Sequence, residues 1–296
     1  TGIRPLVIGK LNNSYIFASE TCALDIVGAT FIREVENGEI IVIENNKLES
    51  IKPFPKQKPR PCVFEYIYFA RPDSLINGKC AYEYRKNLGI ELAKEADVKA
   101  DLVVPVPDSG VPASLGYAEE SGKQFELGLI RNHYVGRTFI EPTQNIRSLG
   151  VKLKLSSTKT IVKNKSIILI DDSLVRGTTC HKIVKMLYEA GAKEIHVRIA
   201  CPEIKFPDFY GVDMPTKKEL LAHEKSLDEM CKYIKAQSLK FLSIDGLYKA
   251  LTGSLRNSNY PQFSDHYFTG DYPIKPYDNL HGYKVRQLSL LSGKSN

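Results

Sequence analysis

The segment Ile167–Thr179, IILIDDSLVRGTT, constrains this chain more than any other. Four apolar residues form a buried strand, and Asp171 and Asp172 close it. A short loop carrying Gly177 and the hydroxyls of Ser173, Thr178 and Thr179 then opens a helix, predicted over about Thr179–Ala190 and closed by Gly191. A buried strand that turns through glycine into a helix is the unit of an open parallel sheet, whose ligands collect at the C-terminal strand ends. Each part has its own chemistry. The backbone N–H groups of Val175, Arg176, Gly177, Thr178 and Thr179 point along a helix N-terminus and suit a phosphate dianion. Asp171 and Asp172 suit ribose hydroxyls and a magnesium ion, which takes a few carboxylate oxygens together with substrate phosphate. Alone, an Asp pair at a strand end is more often a helix cap or solvated turn; the whole segment carries the inference.

The remainder of the chain repeats the alternation. Helix signals run over Ala81–Ala96, an apolar strand over Leu102–Val106, and a helix from Val111. Strands follow at Phe125–Ile130, Ser166–Ile170, Glu194–Ala200 and Leu239–Leu242, the last running into a short helix near Asp245. Capping boxes at Thr216/Glu219 and Ser226/Glu229 start two further helices. Apolar strands alternating with amphipathic helices predict an α/β fold with a mostly parallel sheet covered on both faces. Asp108, Ser109 and Gly110 lie in a strand-to-helix turn, where their amides and the serine hydroxyl can hold a second anion or simply cap the helix. Before this, Arg4–Ile43 reads as short strands of an antiparallel sheet, with Thr30–Val35 and Glu39–Ile43 flanking a hairpin turn at Glu36-Asn37-Gly38. The proline-rich stretch KPFPKQKPRP, residues 52–61, reads as a linker. The expected division is therefore 1–52, a linker at 53–61, a main domain over 62–280 and a flexible tail at 281–296.

Net charge is +7, and eight Lys or Arg against one acid lie between Arg131 and Lys165. Such a block steers anions. Without a helix-turn-helix, zinc finger or aromatic-interleaved basic strand, a polyphosphate metabolite fits better than nucleic acid. No apolar run reaches the length of a membrane span and no secretory signal opens the chain, so a cytoplasmic setting is expected. The six cysteines are scattered singly and read as free thiols. Thr1 in place of Met suggests a fragment or a processed chain.

The thirteen-residue segment resembles the signature that binds phosphoribosyl pyrophosphate (PRPP) in type I phosphoribosyltransferases. The Pro107–Gly110 turn resembles their pyrophosphate loop. FEYIYFARPDS (Phe64–Ser74), VPVPDSGVPASLGYA (Val104–Ala118), SETCALDIVGA (Ser19–Ala29) and the basic stretch Arg131–Ile140 extend the resemblance to glutamine PRPP amidotransferases, from about Gly2 to Tyr272. The resemblance implies a type I phosphoribosyltransferase fold preceded by a remnant of an antiparallel Ntn-hydrolase sheet. It implies transfer of ammonia to C1 of PRPP, giving 5-phosphoribosylamine and pyrophosphate at the first committed step of purine synthesis. Asp108, Ser109 and Gly110 would hold pyrophosphate and Ser173 with Val175–Thr179 the 5-phosphate, while Ser109, Asp171 and Asp172 would hold Mg2+. Arg131, Tyr134, Arg137 and Lys152 would act from a closing loop, with Tyr134 and Ile140 walling an ammonia channel. A homo-oligomer inhibited by purine nucleotides is also implied.

Two departures stand out. The family's glutaminase nucleophile lies upstream of anything here, and Cys22 does not match it, so ammonia-dependent synthesis is expected at best. Of the four cysteines that hold an iron–sulfur cluster in part of the family, only Cys62 has a match; Asp208 stands at a second position and Tyr260–Tyr267 holds no cysteine, so no cluster is expected. Two alternatives are a PRPP-sensing regulatory module without catalysis, which would not need a water-excluding lid, and a base-salvage transferase, which would not need residues 1–52.

Overall fold

The computed structural model describes residues 1–132, 155–213 and 216–275. Three strands, β1 (Val7–Leu11), β2 (Ser14–Ala18) and β3 (Thr30–Glu34), form an antiparallel sheet in the order β2-β1-β3. A helix, α1 (Thr21–Val27), packs on it through Leu24 and ends at Gly28, which takes the left-handed conformation with φ +73°. Sequence periodicity had pointed only to strands and turns here. Strands β4 (Ile40–Glu44) and β5 (Lys47–Ile51) pair with each other across Asn45-Asn46, both at positive φ. The expected hairpin about Glu36-Asn37-Gly38 is therefore corrected: the turn forms, with Glu39 N–H on the Glu36 carbonyl at 3.2 Å, but β3 pairs with β1 and β4 with β5. Positive φ is easier for Asn than for most side chains, and a two-residue Asn-Asn loop matches strand twist.

Residues 52–61 form no helix or strand. They lie along the N-terminal segment, with Arg60 N–H on the Thr1 carbonyl and Cys62 N–H on Ile3. A π-helical turn (Glu65–Phe69) and a small hairpin, β6 (Leu75–Ile76) with β7 (Lys79–Cys80), lead to α2 (Ala81–Ala96).

The main sheet has five parallel strands in the order β14-β13-β12-β8-β9, namely Ser238–Phe241, Glu194–Ile199, Ser166–Asp171, Leu102–Pro105 and Gln124–Phe125. The central strand β12 is apolar because both its faces are covered, and Ile167, Ile168, Leu169 and Ile170 are all wholly buried. The α/β fold is thus as expected, with an antiparallel sheet before it. The expected strand Phe125–Ile130 divides. Gln124–Phe125 joins the parallel sheet, whereas β10 (Leu129–Arg131) pairs antiparallel with β11 (Leu155–Ser157). Thr216/Glu219 begins only a 3-10 turn over Lys217–Glu219, while Ser226/Glu229 closes a complete capping box. The proposed tail at 281–296 lies outside the described residues. No helix among those described is long and apolar enough to cross a membrane.

Helices α2 and α3 (Val111–Ser121) cross at two glycines. A Cβ on Gly89 would sit 1.8 Å from the Ala113 carbonyl oxygen, and one on Gly116 would sit 1.9 Å from that of Lys86. The backbones touch directly, which seats α3 close under the sheet.

Candidate functional site

The site is built from register. Ile170 of β12 lies opposite Pro105 of β8, and Val106 N–H continues the ladder onto the Ile170 carbonyl at 2.8 Å. The turn after β8 and the acids after β12 therefore emerge side by side at the C-terminal sheet edge. Gly110 closes the first turn, its N–H on the Val106 carbonyl at 2.9 Å. A Cβ there would lie 2.6 Å from the Ile170 carbonyl oxygen, so the residue's role is close approach of the two strand ends. The Pro107–Asp108 peptide is cis.

A cavity of about 500 Å³ opens over these ends. Ser109, Asp171, Asp172, Ser173, Val175, Arg176, Gly177, Thr178 and Thr179 all line it. Nine of the residues singled out in the sequence thus meet in one place. Asp108 does not line it; its carboxylate holds Arg131 Nη1 at 2.6 Å beside the cavity. Tyr134, Arg137, Ile140 and Lys152 lie outside the described residues.

The two acids differ. Asp172 is buried, and burial pushes its carboxyl up, opposed by hydroxyls of Ser109 and Ser173 and by the charge of Arg85. The Ser173 hydroxyl donates to Asp172 Oδ1 at 2.5 Å. Asp171 is half-buried and accepts the Asp172 N–H at 3.0 Å; burial and then the neighbouring Asp172 charge hold its carboxyl well above the usual carboxylate range. Neither acid is in a direct Lys or Arg ion pair among the described residues, although the Arg85 charge acts on Asp172, and adjacent carboxylates are donors that hard divalent cations favour.

Gly177 gives the anion loop its shape. It takes φ +73° at the N-terminus of the Thr178–Glu189 helix, and an added Cβ would meet Leu221 Cδ2 at 2.6 Å. Gly177→Ala is expected to weaken phosphate binding at least about tenfold and to lower stability by about 1–3 kcal/mol. Phosphate titration and chemical denaturation check both.

Sequence reasoning assigned no role to the cavity's other wall. Phe64, Tyr68 and Phe69 line it from the π-helical turn, and Val212 and Asp213 from a loop. Tyr68 and Phe69 are 49% and 37% exposed, unusual for aromatics in a packed turn. Arg85, only 4% exposed, fastens this turn by donating to the carbonyls of Tyr66 at 3.1 Å and Ala70 at 2.6 Å. The FEYIYFARPDS run was the available signal, since aromatic density without strand alternation marks a special turn. A second cavity, about 310 Å³, lies behind this turn against Ile3, Arg4, Glu20, Glu65 and Asn77. Neither anion loop reaches it.

Comparisons with known proteins agree with this geometry. Over 298 residues the chain is 57% identical to the amidophosphoribosyltransferase of Rhizobium etli, covering 99% of this chain and 60% of that one. It is 50% identical over 276 residues to the chloroplastic amidophosphoribosyltransferase 1 of Arabidopsis thaliana, covering 93% of this chain and 48% of the relative. Among solved structures, the glutamine PRPP amidotransferase from B. subtilis, complexed with ADP and GMP, superposes with a TM-score of 0.85 at 48% identity. That match covers 94% of this chain and 61% of the other. The chain thus spans about half to three fifths of the length of these relatives. The model of the phosphoribosyl transferase domain matches residues 79–229, a stretch that contains both strand-end loops and the acid pair. On that match, and on the site those residues build, the chain belongs to the phosphoribosyl transferase domain family.

Proposed function

We propose that this chain binds PRPP and transfers ammonia to its C1, the synthetic half-reaction of an amidophosphoribosyltransferase. The observation that carries the reading is the convergence of two turns and an adjacent acid pair on one 500 Å³ cavity. Amides of Val175–Thr179 hold the 5-phosphate at a helix N-terminus. The Pro107–Gly110 turn, with Arg131 beside Asp108, takes the pyrophosphate end. Ser109, Asp171 and Asp172 would hold a magnesium ion, which supplies positive charge to pyrophosphate oxygens and ribose hydroxyls when bound.

In the reaction the C1–O bond to pyrophosphate breaks and a C1–N bond to ammonia forms on the opposite face. The nitrogen's surplus proton leaves to pyrophosphate or solvent. Asp171 and Asp172 carboxylates favour the positive charge that develops on the ribose ring. Phe64, Tyr68 and Phe69 keep water off that face, where hydrolysis would compete. Tyr134, Arg137, Ile140 and Lys152 are assigned to the closing basic segment and its ammonia path. The proposal further takes residues 1–52 as the end of a glutaminase-type sheet and the enzyme as a homo-oligomer. That the B. subtilis relative is complexed with ADP and GMP supports purine nucleotides as inhibitors; their 5-phosphate would occupy the Val175–Thr179 loop.

Pyrophosphate release from PRPP with ammonium, with and without magnesium, tests this. Release that requires both and falls with EDTA is expected, with GMP competing. PRPP binding without release would favour the sensing module instead.

A further inference from the structure

The stretch Lys205–Asp213 has no helix or strand, yet it joins the cavity to the last described segment of the chain. At one end Val212 and Asp213 line the cavity. At the other, the N–H groups of Lys205 and Phe206 both donate to the Tyr267 carbonyl, at 2.9 and 3.0 Å, and the Tyr272 hydroxyl donates to the Pro207 carbonyl at 2.9 Å. Between them the backbone passes Gly211 at φ +102°.

The Asp208 side chain folds the middle of this path. Asp208 Oδ2 accepts the N–H of Tyr210 at 2.8 Å and that of Val212 at 2.7 Å, folding the loop about its own carboxylate. Its Oδ1 accepts His266 Nε2 at 2.8 Å, and both side chains are wholly buried. His266 is fixed in turn by the Ser264 hydroxyl at Nδ1, 3.1 Å away, and by the rings of Tyr267, Tyr272 and Tyr210 at 4.0, 4.8 and 5.1 Å. The Asp208 carboxyl stays below the ordinary carboxylate range: burial opposes this, and the His266 and backbone donors outweigh it. A buried ionised acid is a weak source of stability compared with apolar packing. What this one supplies is direction: two amides two residues apart, those of Tyr210 and Val212, must face it, and that sets where Val212 and Asp213 stand.

We infer that Asp208 and His266 are a positioning pair that fixes the Val212–Asp213 wall of the PRPP cavity and ties it to the 264–274 segment. The inference rests on the reading of that cavity as a PRPP site. Neither residue lines the cavity; both act through the loop backbone.

The test uses the whole chain with Asp208→Ala, Asp208→Asn and His266→Leu, each first shown folded by circular dichroism. Amide exchange over 208–213 is read by mass spectrometry, and KM and kcat for PRPP with ammonium are measured separately. Asp208→Ala is expected to exchange faster at Tyr210 and Val212. Its KM should rise about tenfold or more while kcat stays within about threefold, the signature of lost uniform binding. Asp208→Asn is expected to restore both, because its amide oxygen still accepts the two N–H groups and its amide nitrogen can donate to the other His266 tautomer. Should Asp208→Ala fail to fold, His266→Leu carries the test, with a smaller, several-fold rise in KM expected. A folded Asp208→Ala or His266→Leu variant with wild-type KM overturns the inference, as does unchanged exchange. If wild-type protein itself neither binds nor turns over PRPP, the functional reading fails, and faster exchange in Asp208→Ala then upholds the loop-holding role alone.

Discussion

Replacing Asp171 and Asp172 together by asparagine is expected to lower PRPP turnover by at least about a thousandfold and to leave the protein no less stable at neutral pH. The two effects share one cause. Both carboxyls are pushed up, by burial first, with the Asp172 charge adding to Asp171. A carboxyl whose folded value lies above its unfolded value favours folding fully only below the unfolded value, about 3.9 for Asp, and that contribution is lost as pH rises through the folded value. The stability advantage of Asp171→Asn over wild type should therefore be largest at pH 8 and vanish towards pH 4. Melting temperatures of the two proteins across that range check it. A variant melting below wild type at pH 8 would show that Arg85 and the serine hydroxyls outweigh the cost of burying the charges, and the case for a cation site would weaken with it. A site that buries adjacent like charges for a ligand accepts instability in its absence.

The largest expected effect on the fold comes from Gly89→Ala. Its Cβ would overlap the Ala113 carbonyl oxygen at 1.8 Å, and that atom is backbone at a helix crossing. The helices must separate, moving α3 and the Pro107–Gly110 turn that begins it. A loss of about 3 kcal/mol or more is expected, the upper end of overpacking effects. Gly122→Ala provides the contrast. Its φ is +66° but an added Cβ meets nothing within 4 Å, so only the backbone penalty of about 1–2 kcal/mol applies. Urea midpoints of the two variants measure the difference. Equal losses would mean that the crossing yields freely.

How much of this was legible in residues alone follows from where the forces act. The acid pair, the two loops and the central strand were readable because burial on both faces leaves a run such as Ile167–Ile170 with no polar residue. A glycine before the hydroxyls of Thr178 and Thr179 then has a local reason. Helix Ala81–Ala96 was readable to the residue. What could not be read depends on contacts distant in sequence. Pairing of β3 with β1 rather than β4 is decided by the apolar cluster of Val7, Leu24 and Ala29, not by the Asn37-Gly38 turn. The Gly89–Gly116 crossing joins two helices whose glycines look like ordinary helix weakeners. The aromatic wall, Arg85 beneath it and the Asp208–His266 link rest on side chains far apart in the chain. Asp208 stood out earlier only as an acid at a place where some relatives of the resembled family carry cysteine, and its neighbours explain it differently.

Direct titration of PRPP into the protein by calorimetry, in magnesium and again in EDTA, bears most closely on the central claim that two strand-end turns and an acid pair grip a phosphorylated sugar around a cation. Saturable binding of one PRPP per chain that weakens at least about tenfold without magnesium, and again in Asp171→Asn/Asp172→Asn, is the expected result. Folded protein that takes up no PRPP in magnesium, or binds it equally in EDTA and in the double variant, would contradict the account.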